Sequence, residues 1–431
     1  MDGPTLTADD LEAVHHRLGR PASAWRVGME VERFALSSDG RPLPWKGGIR
    51  DLIGRVAARS GWSLVREAGE PVGLEGPEGT RISLEPGGQV EMGGAPRARL
   101  VDVAAEDRAV RDLLASVAGP RVHWAACGYL PLARPSAAPW VPRSRYRVLR
   151  AFLRGRGPRA WEMMRGTCAV QLHLDYDDEA DCGRKVALAV GLAPILLALT
   201  ANSPLRCGRP AGVLSWRATV WRGTDPERTG FPPPLLGPWS HRAWVEWLLD
   251  VPMVFLADGG RCVPAGGIPF RRFLADGLEG RAATLEDWIL HETSVFPEVR
   301  VRRTIELRSA DSVAPALAAA IAALVVGLAY DRPALDAALA LLGDLGARMP
   351  VPDLLAAAAR DGLRAEAGRS LGSWAVDLAE LARGGLGRWQ PEAASLLDPA
   401  DERARERRSP ADDLLAAHRR DPAAVLWAVD R

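Results

Sequence analysis

The chain has 431 residues, of which 47% are hydrophobic and 25% are charged, with a formal net charge of +1. This length predicts two or three domains, or one large enzyme domain with additions, and it is enough to bury a sizeable core. The near-neutral charge excludes a strongly basic nucleic-acid binder and a strongly acidic tail protein, but it is compatible with a local phosphate site.

The five cysteines include no CxxC pair, so we expect reduced thiols rather than a disulfide framework or a structural zinc site. The N-terminal residues are charged and contain no apolar segment of the kind found in signal peptides. The apolar stretch 314–330 is Ala-rich and falls short of about 20 strongly apolar residues. We therefore expect a cytoplasmic protein with neither a membrane nor a nucleic acid as its partner.

The first 310 residues mix helices and strands without a regular βαβ repeat. Periodicity and capping residues predict helices over residues 6–18, 49–60, 100–117, 145–153, 180–199 and 242–249. Alternation predicts strands over residues 26–36, 122–130, 167–176, 251–256 and 299–308, and two short strands between 73 and 94 with Pro86-Gly87-Gly88 as a bulge or tight turn.

From residue 313 onward the chain is rich in Ala and Leu and is predicted to be helical, with a charge run at 400–409 that suits a solvated helix or a linker. The pattern favours an α+β enzyme with an antiparallel sheet, divided into a core over residues 1–311 and a mostly helical C-terminal region over 312–431 that packs on it.

Two familiar nucleotide-binding motifs are absent from the sequence. It contains no GxxxxGK[ST] and no GxGxxG after a strand. An ATP site in this chain must therefore use another design.

The predicted strands carry acidic residues at alternate positions. Glu30 and Glu32 in GMEVERF lie two apart, so both side chains project from one face of the sheet. Burying two like charges against a core would be costly, whereas a cavity that holds Mg²⁺ would explain them, because hard cations prefer oxygen ligands. The alternative is a pair of exposed acids on a strand face.

Other polar residues suggest the same kind of site. Glu85 and Glu91 flank the PGGQ turn, and they form either a metal or polar-ligand site or simply a polar turn. His173 shares a strand face with Gln171 and Asp175, which suits either a functional or a structural histidine.

Three arginines are candidate anion-binding residues. Arg308 shares a predicted strand face with Glu306 in TIELRSAD, so the two form either a metal-and-anion site or an ion pair. Arg217 lies between two tryptophans in SWRATVW, as an anion clamp or as part of an aromatic cluster. Arg228 lies in TDPERTG, a loop that could close over a polar ligand or be a plain turn.

Taken together, these segments resemble one enzyme family. The order GMEVERF, RISLEPGGQVEMGGAP, MMRGTCAVQLHLDYDDEADCGRK, ANSPL, SWRATVWRGTDPERTG and FPEVRVRRTIELRSAD is similar to that of the plant and proteobacterial glutamate–cysteine ligases. That group includes enzymes that make γ-glutamylcysteine for glutathione or for ergothioneine. The resemblance implies a curved antiparallel sheet, related to that of glutamine synthetase, that forms a funnel for substrates.

The resemblance also implies the reaction. ATP phosphorylates the γ-carboxylate of L-glutamate, and the amine of L-cysteine then displaces phosphate to give γ-glutamylcysteine and ADP, with Mg²⁺ ions between phosphates and acids. One alternative is a related ligase that joins glutamate to a different amine in a specialised pathway, and another is a non-catalytic relative. We expect a monomer or a homodimer.

Site residues are carried over from the resemblance by motif. The implied metal shell comprises five acids, namely Glu30, Glu32, Glu85, Glu91 and Glu306. Arg308 would hold a carboxylate or phosphate, and Arg217 would lie near the carboxylate of the amine substrate, so that Glu30, Arg308 and Arg217 form the implied catalytic set. The other implied substrate-binding residues are Arg145, Arg228, His173 and Thr167.

The sequence departs from the family pattern where substrates are bound. An arginine before Thr167 is replaced by Gly166, with Arg165 as a neighbouring substitute only if it points to the same face. A histidine of the family is Thr219 here. Because the paired cysteines of the plant redox switch have no counterpart, we expect no thiol regulation of that kind. These changes affect the predicted identity of the amine acceptor more than the predicted use of ATP and glutamate.

Overall fold

The centre of the protein is an open, nine-stranded sheet, seen in a computed structural model that describes residues 6–429. The strands, numbered in chain order, are β1 (Val27–Ser37), β2 (Ser63–Glu67), β3 (Glu70–Glu75), β4 (Arg81–Leu84), β5 (Val90–Gly93), β6 (Val122–Ala125), β7 (Val170–Leu174), β8 (Leu205–Arg206), β9 (Arg209–Pro210), β10 (Thr229–Gly230), β11 (Phe255–Asp258), β12 (Arg261–Pro264), β13 (Phe296–Pro297), β14 (Val299–Val301), β15 (Ile305–Leu307), β16 (Glu366–Ala367) and β17 (Arg369–Ser370). The large sheet has the order β14-β15-β7-β1-β5-β4-β3-β2, with β6 also paired to β1, and all of its pairings are antiparallel.

Helices surround this sheet and form the whole C-terminal region apart from one short hairpin, β16–β17, in the part of the chain that the structure describes. They are α1 (Ala8–His16), α2 (Arg50–Ser60), α3 (Leu100–Ala118), α4 (Ser144–Phe152), α5 (Ala160–Gly166), α6 (Glu179–Thr200), α7 (Trp216–Arg222), α8 (Pro233–Leu236), α9 (His241–Asp250), α10 (Phe270–Asp276), α11 (Leu285–Glu292), α12 (Pro315–Ala329), α13 (Arg332–Arg348), α14 (Val351–Asp361), α15 (Leu371–Trp389), α16 (Asp398–Glu406), α17 (Pro410–Arg420) and α18 (Val425–Val429).

Strand β1 shows how alternation gives the sheet one apolar and one polar face. Val27, Met29 and Val31 are at most 1% exposed and contribute to the core, whereas Glu30 and Glu32 point to the opposite face. Antiparallel register keeps this division across neighbouring strands, because directly opposed residues share a face. The predicted strand at 26–36 is therefore confirmed.

The apolar face of the sheet is covered by α3, α6 and α12. Helix α6 is long and apolar enough to cross a membrane, but 83% of its most apolar window is buried inside the protein, as in a core helix. It packs against α13, α14 and α15 on its other side. The C-terminal helices thus share one hydrophobic core with the sheet. The division at residue 311 stays a prediction.

Several sequence-based boundaries need correction, and the predicted strand at 122–130 ends already at Ala125. Residues 70–93 form three strands, β3 to β5, rather than two. The predicted strand at 251–256 begins only at Phe255. The predicted strand at 299–308 is a hairpin, β14–β15, in which Arg302 N donates to Thr304 O at 3.0 Å. The alternation continues through this turn because Arg300 and Glu306 are opposed and share a face. The charge run near 400 is largely helix α16.

Candidate active site

The polar face of the sheet forms the floor of a cavity of about 380 Å³. Strands β1, β4, β5 and β7 supply the floor, while α4, α5 and α7 supply much of the surrounding wall. Eight of the eleven predicted site residues line this cavity, namely Glu30, Glu32, Glu85, Glu91, Arg145, Thr167, Arg217 and Arg308.

Four of the predicted acids converge on the floor. Glu32 on β1 lies directly opposite Glu91 on β5, and Glu30 lies two residues before Glu32 on the same face. Glu85 follows β4 in the hairpin turn, where Glu85 N donates to Gln89 O at 2.9 Å. Gly88 has a φ of +81° in this turn, a conformation that glycine adopts without strain. The Pro-Gly-Gly turn therefore brings Glu85 beside the strand acids.

Burial and mutual repulsion make these carboxylates hard to ionise. Burial raises the pKa of Glu32 to about 8, with a further contribution from Glu85. Burial also raises the pKa of Glu85 and Glu91, and repulsion from Glu30 adds to both shifts. Glu30 differs, because nearby His173 lowers its pKa against the opposing effect of burial. A bound cation would relieve this repulsion.

The fifth predicted acid, Glu306, already has two cationic partners. Arg300 Nε donates to Glu306 Oε2 at 2.7 Å, and Arg308 donates to the other carboxylate oxygen. Although burial opposes ionisation, these two guanidinium groups hold the pKa of Glu306 well below its ordinary value. Both carboxylate oxygens of Glu306 accept hydrogen bonds from arginines in this structure. We therefore assign Glu306 to positioning Arg308 rather than to the metal shell.

His173 lies between the two groups of acids. It is opposite Glu306 in the β7–β15 register, and its Nε2 lies 3.6 Å from Glu30 Oε1. Ligand atoms of Glu30, His173 and Glu306 all lie within 4.8 Å of one another, so they could share a cation. Gly28 permits this packing, because a Cβ there would lie 3.2 Å from the Cβ of His173.

Arg217 is positioned by a buried polar network. Its guanidinium donates to Arg308 O at 2.7 Å and Ser309 O at 3.2 Å, and it stacks near Trp221. The ANSPL and RSAD segments support it, since Asp311 accepts hydrogen bonds from Ser203 Oγ at 2.6 Å and Asn202 N at 2.9 Å. Arg217 therefore lines the cavity and also lies near an aromatic ring, while its role as an anion clamp stays a prediction.

Two further arginines project into the cavity from fixed positions. Arg308 donates to Gln171 Oε1 as well as to Glu306, which orients its guanidinium along the polar sheet face. Arg145 on α4 donates to Thr293 Oγ1 at 2.8 Å and to Thr293 O at 2.9 Å, and it lies over the ring of Phe255. Multiple partners restrict both side chains and prepare them to bind anions.

Arg228 does not line the cavity. Its side chain is fully buried, and it donates to Asp225 Oδ2 at 2.7 Å, to Ser294 O at 3.0 Å and to Pro252 O at 3.0 Å. Each of the three guanidinium nitrogens therefore has a partner within the protein, so Arg228 ties its loop to the core rather than meeting a substrate. The expectation that this arginine contacts glutamate or phosphate is not supported by its placement.

The departures from the family pattern also have a structural outcome. Arg165 donates to Ser136 O at 2.7 Å and to Ala138 O, and it is not among the residues that line the cavity. A Cβ at Gly166 would lie 2.9 Å from Pro135 Cγ, so a longer side chain does not fit there. Thr219 lies off the α7 face that presents Arg217 to the cavity.

Sequence reasoning missed several cavity residues. Arg143, Arg81 and Arg300 line the cavity, and Arg81 Nη2 donates to Glu30 Oε1 at 2.8 Å. Arg143 lies two residues before Arg145 in RSRYR, a spacing that should have drawn attention to it. Arg300 was hidden because residues 299–308 were read as one strand, which would hold it roughly 20 Å from Glu306.

The mixed fold and this cavity, in which clustered carboxylates lie among fixed arginines, are typical of an enzyme that acts on charged small molecules. The chain belongs to glutamate-cysteine ligase family 2, whose model matches residues 26–426. It is 35% identical over 425 residues to the chloroplastic glutamate–cysteine ligase of Brassica juncea, covering 95% of this chain and 80% of the relative. The Arabidopsis thaliana enzyme is also 35% identical, with 95% and 79% covered.

A solved structure of glutamate–cysteine ligase from Francisella tularensis, in complex with AMP, has a similar fold. The TM-score is 0.58 at 10% sequence identity, with 94% of this chain and 87% of that chain covered. This similarity confirms the predicted fold class, which combines helices with an antiparallel sheet.

Proposed function

We propose that this protein is an ATP-dependent ligase that joins the γ-carboxylate of L-glutamate to the amine of L-cysteine, giving γ-glutamylcysteine, ADP and phosphate. The observation that carries the proposal is the cavity itself, in which Glu30, Glu32, Glu85 and Glu91 lie together with Arg217 and Arg308. The plant relatives at 35% identity are named glutamate–cysteine ligases, which supports the same activity for this chain.

The four floor acids fit Mg²⁺. Their donor atoms are carboxylate oxygens, which hard cations prefer, and their repulsion is of the kind that a divalent ion removes. Glu30, Glu32, Glu85 and Glu91 would hold the metal, with His173 and Glu306 beside them. Once bound, Mg²⁺ supplies positive charge to phosphate oxygens.

The cavity arginines would bind the anionic groups of the substrates. In the first step a γ-carboxylate oxygen of glutamate attacks the γ-phosphorus of ATP, and the bond to ADP breaks. Arg308, held by Glu306 and Gln171, presents fixed donors to the anionic groups that meet there. Arg145 provides a second fixed cation, for glutamate or for phosphate.

In the second step the amine nitrogen attacks the acyl carbon, and the bond to phosphate breaks. We assign Arg217 to the carboxylate of the amine substrate, because its backbone partners Arg308 O and Ser309 O fix its guanidinium beside Arg308. Orientation of two bound substrates is the main contribution that such a site makes.

A second candidate function is the same ligation with a different amine. It is favoured by Gly166 and Arg165, because the cavity wall before Thr167 contributes no arginine where the family pattern has one. We further propose cytoplasmic localisation, a monomer or homodimer, and a product that serves glutathione or ergothioneine synthesis.

Product analysis tests the proposal. Purified protein is incubated with ATP, Mg²⁺ and glutamate, with and without cysteine, and products are identified by mass spectrometry. We expect a γ-glutamylcysteine mass and an equal amount of ADP only when cysteine is present. Glutamate-dependent ADP release without that product would favour the second candidate and lead to a screen of amines. Absence of glutamate-dependent turnover with any amine would contradict both.

A further inference from the structure

Three residues from separate helices meet in a second cluster outside the cavity. His16 is the last residue of α1, Glu179 is the first residue of α6, and His241 is the first residue of α9. None of the three lines the cavity described above. Their ligand atoms lie within 4.8 Å of one another.

The distances suit one tetrahedral ion. His16 Nδ1 and His241 Nδ1 are 3.4 Å apart, and Glu179 Oε1 is 3.9 Å from His241 Nδ1. Two nitrogens bound to one tetrahedral zinc ion at about 2.05 Å would lie about 3.3 Å apart. The spacing of the two imidazole nitrogens therefore matches that of two ligands on one ion, and Glu179 would have to move closer.

The surroundings of His241 supply a second observation. Its side chain is fully buried, and the neighbours of its Nδ1 include His16 Nδ1 at 3.4 Å and Glu179 Oε1 at 3.9 Å, while its Nε2 has no hydrogen-bond partner within residues 6–429. Nδ1 is therefore the ring nitrogen of His241 that could share an ion with His16 and Glu179.

The environment of His16 completes the site. Glu12 Oε1 lies 3.5 Å from His16 Nε2, in the position of a carboxylate that orients a metal-bound histidine. The His16 side chain is 45% exposed, which leaves room for water at the fourth position. Glu179 also accepts from His241 N at 2.6 Å, so its carboxylate is fixed at the start of α9.

We propose that His16, His241 and Glu179 bind one transition-metal cation of the zinc type, which ties the N-terminal helix to α6 and α9. Two imidazole nitrogens favour such an ion over Mg²⁺, whose preferred ligands are the oxygens that the cavity offers. The alternative is a metal-free contact in which one Nδ1–H donates to the other Nδ1. This proposal does not depend on the ligase activity.

The test is a Zn²⁺ titration of chelator-treated full-length protein in excess Mg²⁺, which occupies the cavity acids. The protein variants are wild type, His16→Ala, Glu179→Gln and, as a matched control, His418→Ala, whose ring contacts Gly208 O elsewhere. We expect one Zn²⁺ per chain, an affinity at least about tenfold weaker in His16→Ala and Glu179→Gln, and no change in His418→Ala.

Further measurements separate loss of metal binding from loss of folding. Co²⁺ should give the intense visible absorption of a tetrahedral site with the wild type and not with His16→Ala. Zn²⁺ should raise the Tm of the wild type more than that of His16→Ala. Circular dichroism and ligase activity of His16→Ala in Mg²⁺ should match the wild type, because His16 lies outside the cavity. Equal Zn²⁺ affinity in the wild type and His16→Ala would overturn the proposal.

Discussion

At the scale of single residues, the most informative feature is the repulsion among the floor acids. Glu91 is buried, and its pKa is raised by burial and by Glu30, Glu85 and Glu32. Folding must either protonate Glu91 or hold its charge among the other acids, and both cost stability at neutral pH, whereas glutamine is neutral in the folded and unfolded chain. Without Mg²⁺, Glu91→Gln should therefore be more stable than the wild type, by about 2–4 °C in Tm.

The same substitution should impair Mg²⁺ use. With one ligand carboxylate lost, we expect the Mg²⁺ concentration for half-maximal activity to rise at least about tenfold. Melting scans with and without Mg²⁺, together with Mg²⁺ titrations of activity, measure both effects. Glu75→Gln, an exposed acid at the end of β3, is the matched control and should change neither. A Glu91→Gln enzyme with normal Mg²⁺ dependence would remove Glu91 from the metal shell.

Arg217 and Arg228 can be compared by substitution, because both side chains are buried but only Arg217 lines the cavity. Arg217→Lys keeps the charge and loses the paired hydrogen bonds to Arg308 O and Ser309 O. We expect the KM for the amine substrate to rise about 30-fold or more, corresponding to roughly 2 kcal/mol, with a smaller effect on glutamate.

Arg228→Lys is the control for this experiment. It should lower the Tm because Asp225 and two carbonyl oxygens lose donors, while the ratio of the two KM values stays near that of the wild type. Steady-state kinetics with each substrate varied in turn give the KM values for the amine substrate and for glutamate in both variants. A larger effect of Arg217→Lys on glutamate than on the amine would refute the assigned role.

At the scale of elements, the β14–β15 hairpin positions Arg308 through a buried ion pair. Arg300 and Glu306 are opposed in register, and Arg300 donates to both carboxylate oxygens. Arg300→Met leaves part of a buried charge without its partner, which should destabilise the protein by about 3 kcal/mol. Denaturant unfolding measures this loss, and Arg303→Ala in the exposed hairpin turn should change stability by less than about 0.5 kcal/mol.

The same hairpin shows what sequence patterns reveal and what they conceal. Alternation placed Glu30, Glu32, His173 and Glu306 on polar strand faces correctly, because side-chain direction depends only on local backbone geometry. It could not locate the turn at residues 302–304, since the alternation continues through it. The contact of Arg300 with Glu306 depends on that turn, and it was therefore missed.

The sequence pattern also could not predict packing between segments that are distant in the chain. Whether Arg165 or Arg228 reaches the cavity depends on carbonyl oxygens of other loops, such as Ala138 O and Pro252 O. No periodicity records such partners. Most of the residues that the motif resemblance implied do line the cavity, whereas the placement of these two arginines away from it is visible only in the structure.

At the scale of the whole molecule, a buried histidine contributes to the pH dependence of stability. His291 on α11 is fully buried against Phe270 and Trp288, with Arg228 as the nearby charge. Burial lowers its pKa to about 4, below the ordinary value of 6.5. The unfolded chain therefore takes up a proton first, so this contribution to stability is complete above about pH 6.5 and is lost as the pH falls toward 4.

Because one pKa unit corresponds to about 1.4 kcal/mol, lowering the His291 pKa from 6.5 to about 4 corresponds to a loss of about 3 kcal/mol in the free energy of unfolding. His291→Gln should therefore narrow the stability difference between pH 7 and pH 5 relative to the wild type. Urea unfolding of both proteins at the two pH values provides the measurement. An unchanged difference would show that His291 does not govern this pH range.

The proposed function requires that the polar face of the sheet is the active site and that Glu30, Glu32, Glu85 and Glu91 hold Mg²⁺ there. Anomalous diffraction from crystals grown with Mn²⁺, glutamate and a non-hydrolysable ATP analogue tests it most directly. We predict Mn²⁺ peaks about 2.1–2.3 Å from carboxylate oxygens of Glu30, Glu32, Glu85 and Glu91, with phosphates near Arg308. Metal and nucleotide bound elsewhere, with these acids unliganded, would contradict the account.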